Sequence, residues 1–205
     1  MNPEDALQLA DWRRQNAALY ARVREQADPA VAYALWREGR DQMMRSHPQS
    51  PLPADDPMRV SGVPYWPYDP ALRWTVPVEP VAQPQRLVID TGPDGVTRYE
   101  QVGWVMFGDP VGRRVALWWL DQYGGGLFLP LRDATAGTTS YGAGRYLLDT
   151  AKGADLGSAD QKLVIDLNFL YHPSCRYDVR WVCPLAPVSN TIDVPVTAGE
   201  RLDPP

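Results

Sequence analysis

The chain has 205 residues, 44% of them hydrophobic, and a net charge of -5, enough for one sizeable core with an appendage. Its basic residues are spread along the chain and form no stripe able to release many phosphate counterions, so nucleic acid is not an expected partner. No run approaches a membrane span, and the start, MNPEDALQLADWRR, lacks a basic segment followed by an apolar one; the expectation is a cytoplasmic protein without a membrane partner.

The first 46 residues read as two helices. Asn2 can cap the first, Pro3 suits its first turn, and Leu9, Trp12, Leu19 and Val23 recur at near-helical spacing. Asp28 and Pro29 restart the pattern through Val31, Leu35 and Met43 to Arg45, where the prolines of SHPQSPLPADDP stop it. Residues 51–84 carry nine prolines with Tyr65, Trp66, Tyr68 and Trp74, the composition of an extended strap whose rings complete a core. From Arg86 to Leu131, apolar runs at 87–89, 102–107, 115–120 and 127–131 are separated by TGPDG, GDPVG and DQYGGG, which predicts an antiparallel meander. VALWWL is apolar on both alternating faces, so this strand is expected to be covered on both sides. Further strands are predicted at 145–149, 162–170 and 191–196. In KLVIDLNFL the two-residue period points Asp166 and Asn168 the same way.

Four blocks together resemble the bacterial and archaeal proteins grouped as domain of unknown function 1684: HPQSPL at 47–52, LRDATAGTTSYGAGRYLLD at 131–149, LVIDLNFLYHPSC at 163–175 and CPLAPVSNTIDVPVTAGE at 183–200. The resemblance implies coverage from about the second helix to the C-terminus, and it carries no activity. It also implies Asn in relatives where His172 stands here, which weakens a family-wide role for the His172 imidazole.

Two constellations carry candidate chemistry. In the first, Arg132, Tyr141, Arg145 and Asn168 are candidate ligand-binding residues: the forked guanidinium of Arg145 suits a carboxylate or phosphate, and Tyr141 offers a hydroxyl. Asp133 or Asp166 is a candidate general base, with His47 as a third candidate catalytic residue. The competing reading is a buried polar network in which Arg145 pairs with Asp149 on one strand face. The second constellation is His47, His172, Cys175 and Cys183, of which His172, Cys175 and Cys183 are the candidate metal ligands. Reduced structural thiols, a disulfide, a zinc site and a nucleophile are the alternatives for the cysteines, although C-x7-C is not a zinc-ribbon spacing and His47 lies more than a hundred residues upstream. His47 closing a helix also reads as a C-terminal cap. The chain has no G-x-S-x-G elbow, Walker loop, H-E-x-x-H or strand-linked G-x-G-x-x-G, and no cofactor is expected outside the zinc alternative.

The expected fold is mainly β within an α+β class: an antiparallel sandwich or partly closed barrel with two N-terminal helices packed on it. Residues 1–50 form the helical segment and 51–205 the β domain, together one structural unit. The leading functional reading is a domain that binds a small anionic molecule in a polar pocket. The alternative is a hydrolase or lyase using Asp and His, with or without zinc. The oligomeric state is left open.

Overall fold

Local capping chemistry sets the two helices. In the computed structural model, which describes residues 2–92 and 95–202, helix α1 (Pro3–Arg24) begins where the Asn2 side chain accepts from the Asp5 amide at 2.8 Å. Helix α2 (Pro29–Ser46) begins where Asp28 accepts from Ala30 N at 2.8 Å, each cap satisfying an amide that lacks a partner within the helix. A short helix, α3 (Met58–Ser61), lies within the proline-rich strap.

The strands form two antiparallel sheets that do not close into a barrel. One has five strands in the order β2 (Arg86–Asp90), β3 (Val96–Met106), β4 (Arg114–Leu120), β5 (Leu127–Leu131) and β6 (Arg145–Asp149). This is the expected meander extended by one strand, although Pro93 and Asp94 of the TGPDG reversal lie outside the described residues. The other sheet has the order β1 (Arg73–Val76), β8 (Lys162–Asp166) and β7 (Ser158–Ala159). Apolar positions from both sheets and both helices pack in a single cluster that includes Trp36, Phe107, Leu117, Leu147, Ile165 and Phe169. The opposite face of β4 supports a second cluster of Tyr99, Ala116, Trp118, Phe128 and Tyr146. The centre of β4 is therefore covered on both sides, while Trp119 near its end is 43% exposed.

The strap behaves as its composition implies. Tyr65 packs edge-on to both Tyr33 and Trp36, and Trp74 of β1 stacks on Phe107 at 6.0 Å. Two expected strands are corrected. The 162–170 run ends at Asp166, because the Asp166 carboxylate accepts from the Asn168 amide and turns residues 167–169 into a 3-10 turn. The 191–196 run forms only a bridge between Arg132 and Thr191; Pro195 has no amide with which to extend a ladder. No helix among the described residues is long and apolar enough to cross a membrane.

Candidate functional site

Arg145 and Asp133 meet inside the protein. The pair is separated by 2.8 Å with side-chain exposures of 0% and 1%. Arg145 also donates to the carbonyls of Val196 at 2.8 Å, Glu200 at 3.0 Å and Ala198. Asp133 Oδ1 accepts from the Thr135 amide and hydroxyl and from Val196 N at 3.0 Å. Burial raises the Asp133 pKa, but the Arg145 charge and these donors outweigh it and hold the carboxyl below its ordinary value. Gly144 permits the bend: its φ is +93°, and a Cβ there would lie 2.6 Å from the Leu131 carbonyl oxygen. The expected Arg145–Asp149 pairing is thus replaced by Arg145–Asp133, and Asp149 instead meets Lys152 at 3.3 Å.

The remaining members of the first constellation lie elsewhere. Arg132 is exposed and donates to Gly142 O. Asn168 is spent on the strap, exchanging hydrogen bonds with the backbone of Asp69 at 2.8 Å in both directions. Asp166 shares no hydrogen-bond partner with Arg145. It accepts from Asn168, Arg73 approaches to 3.9 Å, and its buried Oδ2 lacks a hydrogen bond. Burial pushes its pKa up to about 6. Beside Tyr68 and Arg73 opens a cleft of about 500 Å³ that Trp74 and Pro70 also line. His47 is buried against Trp12, accepts from the Gln49 amide and approaches Asp11 at 3.4 Å. It caps the end of α2 by position, but its ring receives an amide and does not donate to the helix carbonyls.

A second buried network centres on Glu200, which the sequence did not single out. Arg40 Nε donates to Glu200 Oε1, and the other carboxylate oxygen accepts from the His172 amide and from the Tyr177 hydroxyl at 3.1 Å. Burial opposes ionisation of Glu200, yet Arg40 holds its pKa below the ordinary value. Burial depresses the His172 pKa to about 3, so its imidazole is neutral near neutral pH and Nε2 accepts from the Tyr141 amide at 3.2 Å. The two cysteines lie side by side, with Cys175 N donating to Cys183 Sγ at 3.4 Å. Among the described residues no three His, Cys, Asp or Glu side chains converge as a metal-holding group, and both His172 nitrogens face other groups, Tyr141 N and Glu200.

Between α1 and the β6 end lies a narrow polar cleft of about 80 Å³. Tyr20 of α1, Arg40 of α2, Asp149 at the end of β6, Lys152 beyond it, His172 and Cys183 are among the residues that line it. The Arg40 guanidinium sits over the Tyr171 ring at 4.8 Å. Tyr20 is 1% exposed and its hydroxyl has no hydrogen-bond partner. Lys152, with 60% of its side chain exposed, stands at the edge.

The fold and this cleft define an α+β protein of two open antiparallel sheets, with a cation-bearing recess where the N-terminal helices meet the larger sheet. The chain belongs to the family described as "Protein of unknown function (DUF1684)", whose model matches residues 59–201. An uncharacterised protein of Haloarcula marismortui, solved by solution NMR, is 33% identical with a TM-score of 0.57, over 82% of this chain and 90% of that one. Comparison with curated proteins yielded no match.

Proposed function

We propose that the protein binds a compact anion, a small carboxylate or phosphate, in the cleft between α1 and the end of β6. The observation that carries this reading is the Tyr20 hydroxyl, a buried donor without a partner on the wall of a recess that also holds Arg40 and Lys152. A buried hydroxyl left unpaired costs about 1–3 kcal/mol, which a bound acceptor recovers. Arg40 is prearranged by Glu200 and Tyr171, so little side-chain entropy is lost when it meets a ligand. The volume favours a ligand of a few heavy atoms over a nucleotide. The reading moves the polar pocket away from Arg132, which is exposed, from Asn168, which is spent on the strap, and from Arg145, whose two terminal nitrogens serve Asp133 and three carbonyls while only its buried Nε lacks a partner.

Calorimetric titration with inorganic phosphate, acetate and pyruvate tests it. One of these is expected to bind wild-type protein and to lose roughly tenfold or more in affinity with Tyr20→Phe and with Lys152→Met, since a charge-assisted hydrogen bond contributes about 1.5–3 kcal/mol. Binding unaffected by both substitutions, or no binding of any of the three, removes the proposal. A hydrolytic or lyase reading rests on a separate observation, the Asp166 carboxyl, whose pKa near 6 suits a general base. Asp166→Asn abolishing turnover of an ester panel would favour it; absence of turnover by wild-type protein would count against it.

A further inference from the structure

We propose that Cys175 and Cys183 are a reversible dithiol–disulfide pair, oxidised by a low-molecular-weight disulfide. Three observations carry it, and none depends on the anion cleft. The two residues are already in contact: the Cys175 amide donates to Cys183 Sγ at 3.4 Å. Both are partly exposed, unlike the inert thiols of a packed core. Their ionisations are linked: the neighbouring Cys183 thiol lowers the Cys175 pKa to about 7, and the adjacent Cys175 sulfur pushes Cys183 up. Near neutral pH the pair therefore supplies one thiolate and one thiol, as thiol–disulfide exchange requires.

The segment between the two cysteines also permits the small approach that bond formation needs. Val179 is 98% exposed, so little packing opposes its adjustment. The ends are held: Tyr177 donates to Glu200 on one side, and the Tyr146 hydroxyl donates to the Pro184 carbonyl on the other. Cys183 stays tethered beside Cys175 while the intervening loop adapts.

With glutathione disulfide as oxidant, the thiolate of the pair attacks one sulfur, breaks the glutathione S–S bond and forms a mixed disulfide, releasing one glutathione thiolate. The remaining thiol then gives its proton to solvent and attacks the cysteine sulfur of the mixed disulfide. The protein S–S bond forms as the mixed disulfide breaks and expels the second glutathione thiolate. From the thiolate–thiol form the protein has lost two electrons and one proton; the two glutathione thiolates take up that proton and one more from solvent, so one glutathione disulfide has become two glutathione molecules.

The test uses the full chain near pH 7 in graded glutathione redox buffers, with acid quenching, alkylation and peptide mass analysis. The expected product is an intramolecular Cys175–Cys183 disulfide, reversed by excess reduced glutathione. Cys175→Ser and Cys183→Ser should each stop at a glutathione mixed disulfide on the cysteine that remains and form no intramolecular bond; circular dichroism verifies that both variants fold. No oxidation of wild-type protein across the buffers, or a persistent mixed disulfide without the intramolecular bond, overturns the proposal without needing either variant.

Discussion

Replacing Arg145 by Met isolates the worth of the inner ion pair. The substitution keeps an unbranched side chain but leaves the Asp133 carboxylate buried at 1% exposure, together with the carbonyls of Val196, Ala198 and Glu200 that Arg145 serves. Breaking one side of a buried pair costs about 3–5 kcal/mol, because the remaining charge stays desolvated. Whole-domain stability is only about 5–15 kcal/mol, so this one change removes a large share of it. For a chain of this length the loss corresponds to a fall of roughly 10 °C in Tm. The control is Arg113→Ala, which breaks the Arg113–Asp193 pair of nearly equal length, 2.9 Å, whose side chains are 44% and 79% exposed. Solvent screening leaves such a pair with little net effect, and no measurable change in melting is expected. Thermal and urea unfolding of both variants decides the matter. An Arg145→Met protein that melts with wild type, or no lower than Arg113→Ala, refutes the reading of the pair as a strongly stabilising buried ion pair.

Two groups with opposite linkage make the acid response a second test. Folded His172 has a pKa near 3 against 6.5 unfolded, so the unfolded chain binds the extra proton and His172 lowers stability as pH falls below about 6.5. Folded Asp166 has a pKa near 6 against 3.8, so the folded chain binds the extra proton and Asp166 raises stability as pH falls from about 6 towards 4. In this window the contributions oppose each other at about 1.4 kcal/mol per pH unit each. Asp166→Asn is expected to leave stability falling with acid, and His172→Gln to leave it rising, both read from urea midpoints between about pH 4.5 and 6; identical slopes in the three proteins would contradict both assignments. Asn190→Leu is expected to lose about 2–3 kcal/mol in urea unfolding, because Asn190 donates to the carbonyls of Ala116 and Pro130 and accepts from Trp118 within the interior. A wild-type midpoint would show that this clamp contributes nothing.

Signals that act over a few residues were legible in the sequence. Asn2–Pro3 and Asp28–Pro29 mark the helix starts, and two-residue alternation broken by Gly and Asp marks the meander. The strand expected to continue to residue 170 failed where side-chain chemistry competed with the ladder: Asp166 captures the amide two residues on, a turn that D-x-N also encodes. The candidate site was only partly legible. Arg145 and Asp133 were singled out, yet strand parity suggested Asp149 as the partner, whereas the backbone reverses at Gly144 and presents Asp133. Arg40 and Glu200 lie 160 positions apart, and no local period links them. Tyr20 reads as one more ring on an apolar helix face. What distinguishes it is a hydroxyl without a partner, a property of the assembled interior alone.

That hydroxyl also provides the most direct measurement of the central claim. Melting of Tyr20→Phe and wild-type protein is compared with and without the anion identified by calorimetry. Without ligand, Tyr20→Phe is expected to melt at or slightly above wild type, since an unpaired buried hydroxyl is removed at no cost in hydrogen bonds. With ligand, wild type should gain and the variant should fall behind, because stabilisation follows the affinity for the folded state. An equal ligand-induced gain in both proteins would contradict the assignment of the cleft as the binding site.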